Sequence, residues 1–167
     1  MVTTALISDL KAQARILHRR LQAGDELAGQ RMCVLRHKRP PYTRGDCLAA
    51  IARELGFSGW PHALSVLTGR PEQDYGTLLH PASCHGFWNI WSAHYDEAQT
   101  IRAEHGGYLL AYRRQFLITE APYIESLGVD PLDPDWARIG RDWVKPADRA
   151  AWLRLCAQVV RARRIVS

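Results

Sequence analysis

The sequence predicts an α+β protein: an N-terminal three-helix unit with a helix-turn-helix-like pair, followed by a small α+β unit of about three strands. Apolar residues recur at helical spacing through residues 1–69, whereas residues 87–167 mix helical spacing with strand-like alternation. Residues 70–86 contain two prolines, two glycines and little periodicity. We therefore predict a helical domain over 1–69, a linker over 70–86 and an α+β domain over 87–167.

Composition favours a folded protein outside the membrane. Apolar residues make up 47% of the 167 residues, and no uncharged apolar run is long enough for a membrane span. Asp9 and Lys11 interrupt the N-terminal apolar stretch too early for a signal peptide. The four cysteines form no CxxC pair and are most simply free thiols. We expect a soluble, cytoplasmic protein without a cofactor.

Positive charge is concentrated in the N-terminal part of the chain. Residues 1–69 hold ten Lys and Arg against five Asp and Glu, a net +5, whereas residues 70–167 hold twelve of each. Such an imbalance favours a polyanionic partner, although a solvated basic face gives the same composition.

The first predicted helix runs from about Thr4 to Ala23, because four apolar residues share one face and Gly24 follows it. The apolar face holds Leu10, Ala14, Leu17 and Leu21, and the outer face is basic. The following stretch, RMCVLRHKRPPYTR at 31–44, contains five basic residues and no acid. Within it, Met32–Leu35 is expected to form a short strand, and Pro40-Pro41 favours an extended loop.

Two short helices follow, joined by Gly-Phe-Ser-Gly. Thr43 and Asp46 have the spacing of a capping box. Gly56 is expected to end the first helix with a left-handed backbone, and Ser58 to cap the second. Phe57 and Trp60 are expected to be apolar anchors between the helices.

Residues 9–21 (DLKAQARILHRRL) and 46–67 (DCLAAIARELGFSGWPHALSVL) resemble the small helical domain of bacterial glyoxalase-related proteins. That resemblance covers about 60 of the 167 residues, and the LGF-x-x-W element carries most of it. It implies a bacterial source and a helical fold for this part of the chain. It implies no glyoxalase activity, because no repeat with paired His and Glu ligands is present. The chain has Thr43-Arg44-Gly45 where the family usually has His-Ser.

The second half alternates short strands and helices. Residues 87–93 (FWNIWSA) are expected to form a strand that is central in a small sheet or covered on both sides, because both of its faces carry aromatic residues. A helix is predicted over 96–105, a hairpin over 108–119, a short helix from Pro122 to Leu127 and a helical turn over 135–139. The last helix begins near Pro146 and has an apolar surface broad enough to be mostly buried.

The sequence suggests three candidate functions to consider: metal binding, nuclease-like catalysis and nucleic-acid binding. His80, Cys84 and His85 lie within six residues, but an adjacent Cys and His rarely reach one metal ion, so we expect no metal site. A nuclease-like site would require residues of the second half to converge across the sheet. Those residues are His94, His105, Arg113, Arg114 and Glu120. No Gly-rich phosphate loop is present.

The third possibility is nucleic-acid binding on the N-terminal half, with Arg and Lys neutralising phosphates. The residues expected to carry it are Lys11, Arg15, Arg19, Arg36, Lys38, Arg39 and Arg44.

No catalytic signature stands out, and the sequence favours a non-enzymatic interaction or regulatory module with a protein partner. Six tryptophans leave room for an exposed aromatic patch on the second half, which would favour this function. Nucleic-acid binding and a nuclease-like activity remain the alternatives.

Overall fold

A computed structural model of the chain describes residues 2–70 and 74–165. Within these residues there are eight α-helices, two short 3-10 helices and one three-stranded sheet, which confirms the predicted α+β class. The fold divides into two compact units between Pro71 and Glu72. None of the described helices is long and apolar enough to cross a lipid bilayer.

The first unit is helical. It contains α1 (Val2–Gln22), α2 (Glu26–Arg31), α3 (Arg44–Glu54) and α4 (Trp60–Leu67). The short helix α2 was not expected, and the Asp25 carboxylate caps it by accepting from the Ala28 N–H at 3.0 Å. Met32–Leu35 is a 3-10 helix, so the predicted strand is wrong. A 3-10 turn places residues three apart on the same side, and this buries both Met32 and Leu35.

The predicted capping box at the start of α3 is confirmed. The Thr43 hydroxyl accepts from the Asp46 N–H at 3.2 Å, and the Asp46 carboxylate accepts from the Thr43 N–H at 2.7 Å. Gly56 has the predicted left-handed backbone, with φ of +93°. Ser58 does not cap α4. Gly59 occupies that position, and the Ser58 N–H donates instead to His62 Nδ1 at 3.1 Å.

The core of the first unit lies between α1 and the α3–α4 pair. Phe57 is 3% exposed and anchors this pair as expected, whereas Trp60 is only half-buried. The largest fully buried side chains of the unit are Leu10, Leu17, Met32, Ile51, Leu55 and Leu67. Leu10 and Leu17 belong to the predicted apolar face of α1.

The second unit is built on an antiparallel sheet with strand order β1-β3-β2. The strands are β1 (Ile90–Ser92), β2 (Tyr108–Tyr112) and β3 (Gln115–Thr119). The hairpin β2–β3 is confirmed, with Tyr112 paired with Gln115. The predicted central position of β1 is wrong. The central strand is β3. It pairs on one side with β2, to which a tight turn connects it, and on the other side with β1.

Both faces of this sheet carry buried side chains, such as Leu109 on one face and Leu110 on the other. The second unit adds α5 (Tyr95–His105), α6 (Ala121–Ser126), α7 (Pro134–Arg138) and α8 (Arg149–Ile165). One face packs against α5 through Ala98, Leu109 and Ile118. The predicted burial of the last helix is confirmed, since Leu155, Cys156, Val159 and Val160 are all at most 1% exposed.

Residues 74–86 belong to the second unit, although the sequence analysis places them in a linker. The Tyr75 N–H donates to the Arg113 carbonyl, and the Arg113 N–H donates to the Gly76 carbonyl, both at 2.8 Å. Leu78 and Leu79 are buried beneath this contact. The buried leucines pack this segment into the second unit, Gly76 has a left-handed backbone with φ of +69°, and Pro81 precedes the 3-10 helix Ala82–Cys84.

Candidate functional site

Four large apolar side chains are exposed next to the edge strand of the second unit. Trp88 is 101% exposed, and Phe87, Ile90 and Trp91 are between 37% and 42% exposed. We call these four residues the aromatic edge. They are exposed because β1 pairs with β3 on one side only, so its other side has no neighbour among the described strands.

Trp91 belongs to a group of three rings at this edge. Trp91 is level with Leu117 and Leu110 across the sheet, and Tyr112 lies two residues beyond Leu110, so both aromatic side chains project from the same face. The His80 ring lies 5.3 Å from Trp91 and 5.0 Å from Tyr112, and the two latter rings are 5.7 Å apart. We call these residues the aromatic trio.

Tyr123 fixes the His80 ring. The Tyr123 hydroxyl donates to the Leu79 carbonyl at 2.7 Å and accepts from His80 Nδ1–H at 2.7 Å. A phenol has only one proton to donate, so His80 carries its proton on Nδ1 and keeps Nε2 as an acceptor. Burial, and then the neighbouring His85, lowers the pKa of His80, whereas burial raises that of Tyr123 well above its usual value. At neutral pH His80 is therefore an uncharged aromatic surface.

Cys84 and His85 do not join His80 in a ligand set. The Cys84 thiol is buried and lies 3.0 Å from the Ser126 hydroxyl, which itself donates to the Tyr123 carbonyl. The thiol therefore donates to Ser126, and the exposed His85 ring packs on His80 at 5.1 Å between centroids. Among the described residues, no three His, Cys, Asp or Glu side chains are arranged to hold a metal ion.

Cationic residues lie at one end of the aromatic trio. Arg113 and Arg114 form the two-residue turn between β2 and β3, and both are exposed. The Arg113 guanidinium lies over the Tyr112 ring, 5.4 Å from its centroid. Neither arginine forms an ion pair with any residue that the structure describes. The turn thus adds positive charge beside the aromatic surface.

The residues proposed for nuclease-like chemistry are not brought together. His94 follows β1 at the hairpin-turn end of the sheet, where Arg113 and Arg114 also lie. His105 precedes β2 and Glu120 follows β3, and Tyr108–Thr119 pairing places both at the opposite end. A five-residue strand separates the two ends by roughly 17 Å. One reacting group would therefore not be reached by all five side chains.

The seven basic residues expected to bind nucleic acid all lie in the first unit, and all are exposed. Lys11, Arg15 and Arg19 project from α1, and Arg44 is the first residue of α3. The remaining three, Arg36, Lys38 and Arg39, lie in the loop between the 3-10 helix and α3. Lys38 is 3.5 Å from the Asp46 carboxylate.

Comparison with protein-family models, curated proteins and solved structures gave no match for this chain. The similarity to the helical domain of glyoxalase-related proteins therefore remains a prediction, and function is argued from the two surfaces alone.

Sequence analysis left room for an exposed aromatic patch on the second unit but did not assign it to residues 87–91, and it did not predict the aromatic trio. Its members come from three separate segments, His80, Trp91 and Tyr112. The only local signal was the alternation of aromatic residues in 87–93, and this pattern does not reveal which face is covered.

Proposed function

We propose that the protein is a non-enzymatic interaction module, and that its aromatic edge binds an extended segment of a partner protein. The observation that carries this proposal is the complete exposure of Trp88 beside an unpaired strand edge. Soluble monomers seldom expose contiguous large apolar side chains without an interaction to cover them.

Burial of the aromatic edge supplies the driving force for this binding. A tryptophan side chain buries roughly 150–250 Å² when it is covered, which corresponds to about 4–6 kcal/mol for Trp88 before the costs of association. Trp91 and Phe87 are partly exposed, so covering the exposed parts of their rings buries further apolar surface.

The strand edge supplies backbone recognition. An extended segment that pairs with β1 continues the sheet by main-chain hydrogen bonds, the mode known as β-augmentation. Its side chains then alternate between two environments. One is the aromatic trio on the Trp91 side, and the other is the Ile90 side, which faces the layer of α5.

The charges beside the trio indicate the chemistry of the partner. Arg113 and Arg114 have no ionic partner among the described residues. An acidic side chain at one end of the bound segment complements them, and apolar side chains at alternate positions contact the trio. The partner segment we infer is thus extended, apolar at every second residue, and acidic at the end next to the β2–β3 turn.

We further infer that the module acts in the cytoplasm of a bacterium. All four cysteines are free thiols, as is usual in a reducing compartment, and the resemblance of residues 9–21 and 46–67 supports the source.

A random-peptide display library, selected on the immobilised full-length protein, tests the proposal. We expect extended sequences with alternating apolar residues and an acidic end. Their affinity should fall about tenfold or more in a Trp88→Ser, Trp91→Ser variant, as for loss of central aromatic contacts. Leu132→Ser is the matched control, because Leu132 is an apolar residue of the same unit that is 85% exposed.

Two results would contradict the proposal. The first is that no peptide is enriched, or that the selected peptides bind the double variant as well as the original protein. The second is that Leu132→Ser weakens binding equally, which would indicate non-specific apolar adhesion. Trp88→Ser alone should leave the melting temperature unchanged, so any loss of affinity in it cannot be due to unfolding.

A second copy of the chain is the competing occupant of the edge. Sedimentation equilibrium should give a monomer. A dimer that Trp88→Ser dissociates would assign the edge to self-association.

A further inference from the structure

The first unit carries a second surface, formed by the seven basic residues of α1 and its facing loop. We call it the basic surface. It comprises Lys11, Arg15, Arg19, Arg36, Lys38, Arg39 and Arg44, all of which belong to the first unit.

Three of the four basic residues of α1 lie on one side of the helix, and the fourth, Arg20, lies on the opposite side. At about 100° per residue, Lys11, Arg15 and Arg19 fall within an arc of roughly 80°. Asp9 is the only acidic residue of α1 and lies outside this arc. It accepts a hydrogen bond from Gln13 at 2.7 Å. The arc therefore contains no negative charge from its own helix.

The loop is held against the same side of α1. His18 Nε2 lies 3.1 Å from the Tyr42 carbonyl oxygen, and on the helix His18 is only about 20° from Lys11. The capping box at Thr43 and Asp46 fixes the end of the loop, and Lys38 is 3.5 Å from the same Asp46 carboxylate. The end of the loop therefore lies beside the basic arc of α1.

Three other arginines of the first unit have partners, in contrast to the basic surface. Arg20 pairs with Asp25 at 2.6 Å, and Arg31 makes two hydrogen bonds to Glu54 at 2.9 and 2.7 Å. Arg53 donates to two backbone carbonyls. Apart from Lys38, no member of the basic surface forms an ion pair with a described residue. Arg53 and Arg70 are the other exposed arginines of the unit without an ion pair to a described residue, so most of the unpaired positive charge belongs to the basic surface.

We propose that the basic surface binds the phosphate backbone of duplex nucleic acid without sequence preference. The three residues of α1 extend over about 12 Å along the helix, which is the scale of several successive phosphates rather than of one phosphate group. Lys and Arg side chains neutralise phosphates, and such contacts carry no sequence information.

The composition of the surface also distinguishes it from other polyanion sites. Single-stranded nucleic acid is usually held by aromatic platforms on which bases stack, whereas Tyr42 of the loop is partly buried. A membrane-binding face carries several large apolar side chains that insert between lipids, whereas Ile16 is the only large apolar side chain that is exposed among those described in α1. Duplex phosphate is therefore the ligand that the side chains fit.

Fluorescence anisotropy of a short labelled DNA duplex, titrated with the full-length protein over about 50 to 200 mM salt, tests the proposal. We expect measurable binding at the lower salt and a linear fall of log affinity with log salt. Changing Arg36, Lys38 and Arg39 together to Ser should lower the slope by about 2 to 3, at about 0.9 per phosphate. Changing Lys11, Arg15 and Arg19 together to Gln should lower it similarly.

The matched control removes the same charge from exposed residues of the second unit, with Arg138, Arg141 and Arg161 changed to Ser. The slope of log affinity against log salt should be the same for this variant as for the original protein. Circular dichroism of each variant should match the original protein, because exposed charges contribute little to stability.

Three outcomes would overturn the proposal. One is the absence of duplex binding at low salt. Another is an equal loss of slope in the control, which would mean a general charge effect. The third is binding to vesicles rich in phosphatidylserine without binding to the duplex, which would assign the surface to a membrane.

Discussion

Tyr95→Phe should destabilise the second unit by about 2 kcal/mol, although it removes a single oxygen atom. The Tyr95 hydroxyl donates to Asp142 Oδ2 at 2.5 Å, and Asp142 is only 7% exposed. The other carboxylate oxygen accepts from the backbone N–H groups of Val144 and Lys145 at 2.8 and 2.9 Å. Without the phenol, one oxygen of a buried carboxylate has no donor, and such a loss costs about 1–3 kcal/mol.

A double-mutant cycle separates this pair from its surroundings. Asp142→Ala should cost more than Tyr95→Phe, because it leaves two backbone N–H groups and the phenol without an acceptor. Combining the two changes should cost less than their sum by about 1–2 kcal/mol, since the second change removes a group already unpaired.

High pH provides an independent check with a defined sign. Burial, and then the hydrogen bond to Asp142, raises the pKa of Tyr95 above its usual value. A raised pKa contributes stability that is fully present below the unfolded value of about 10 and is lost as pH rises through the folded value. The stability advantage of the original protein over Tyr95→Phe should therefore narrow above about pH 10.

Urea unfolding followed by tryptophan fluorescence measures the change in the free energy of unfolding of the second unit, because five of the six tryptophans follow residue 72. Tyr112→Phe is the control, since no described residue forms a hydrogen bond with that hydroxyl. It should change the free energy of unfolding by less than about 0.5 kcal/mol. Equal effects of Tyr95→Phe and Tyr112→Phe would refute the reasoning.

Two further predictions concern the helix cap and the cysteines. Thr43→Ala should cost about 1 kcal/mol in the first unit, measured by far-ultraviolet circular dichroism during urea unfolding, and no loss would mean that the capping box contributes nothing. A thiol reagent at pH 8 should titrate one fast thiol, the exposed Cys33, while Cys47, Cys84 and Cys156 react only after unfolding. Burial raises the pKa of Cys156 to about 12, and two or more fast equivalents in the native protein would contradict the burial of these thiols.

Features fixed by neighbouring residues were predictable from the sequence. The capping box needs only Thr43 and Asp46, and the hairpin needs two alternating segments with Arg113-Arg114 between them. The short helix α2 was missed because its six residues are too few for an apolar period to emerge.

Features that depend on distant parts of the chain were not predictable. The position of β1 at the sheet edge is decided by which side of β3 the hairpin partner occupies, and aromatic residues on both faces of β1 do not encode it. The aromatic trio depends in addition on the packing of residues 74–86, which composition had marked as a linker. The basic residues were recognised from charge alone, but the position of the loop's end beside α1 follows from the His18–Tyr42 contact, which joins residues 24 apart.

Hydrogen–deuterium exchange of the full-length protein, with and without a library-selected peptide, tests the central proposal most directly. If the peptide adds a strand to β1, backbone amides of residues 87–92 should exchange more slowly in the complex, while those of α8 stay unchanged. Slower exchange elsewhere, with residues 87–92 unaffected, would contradict the assignment of the aromatic edge as the binding site.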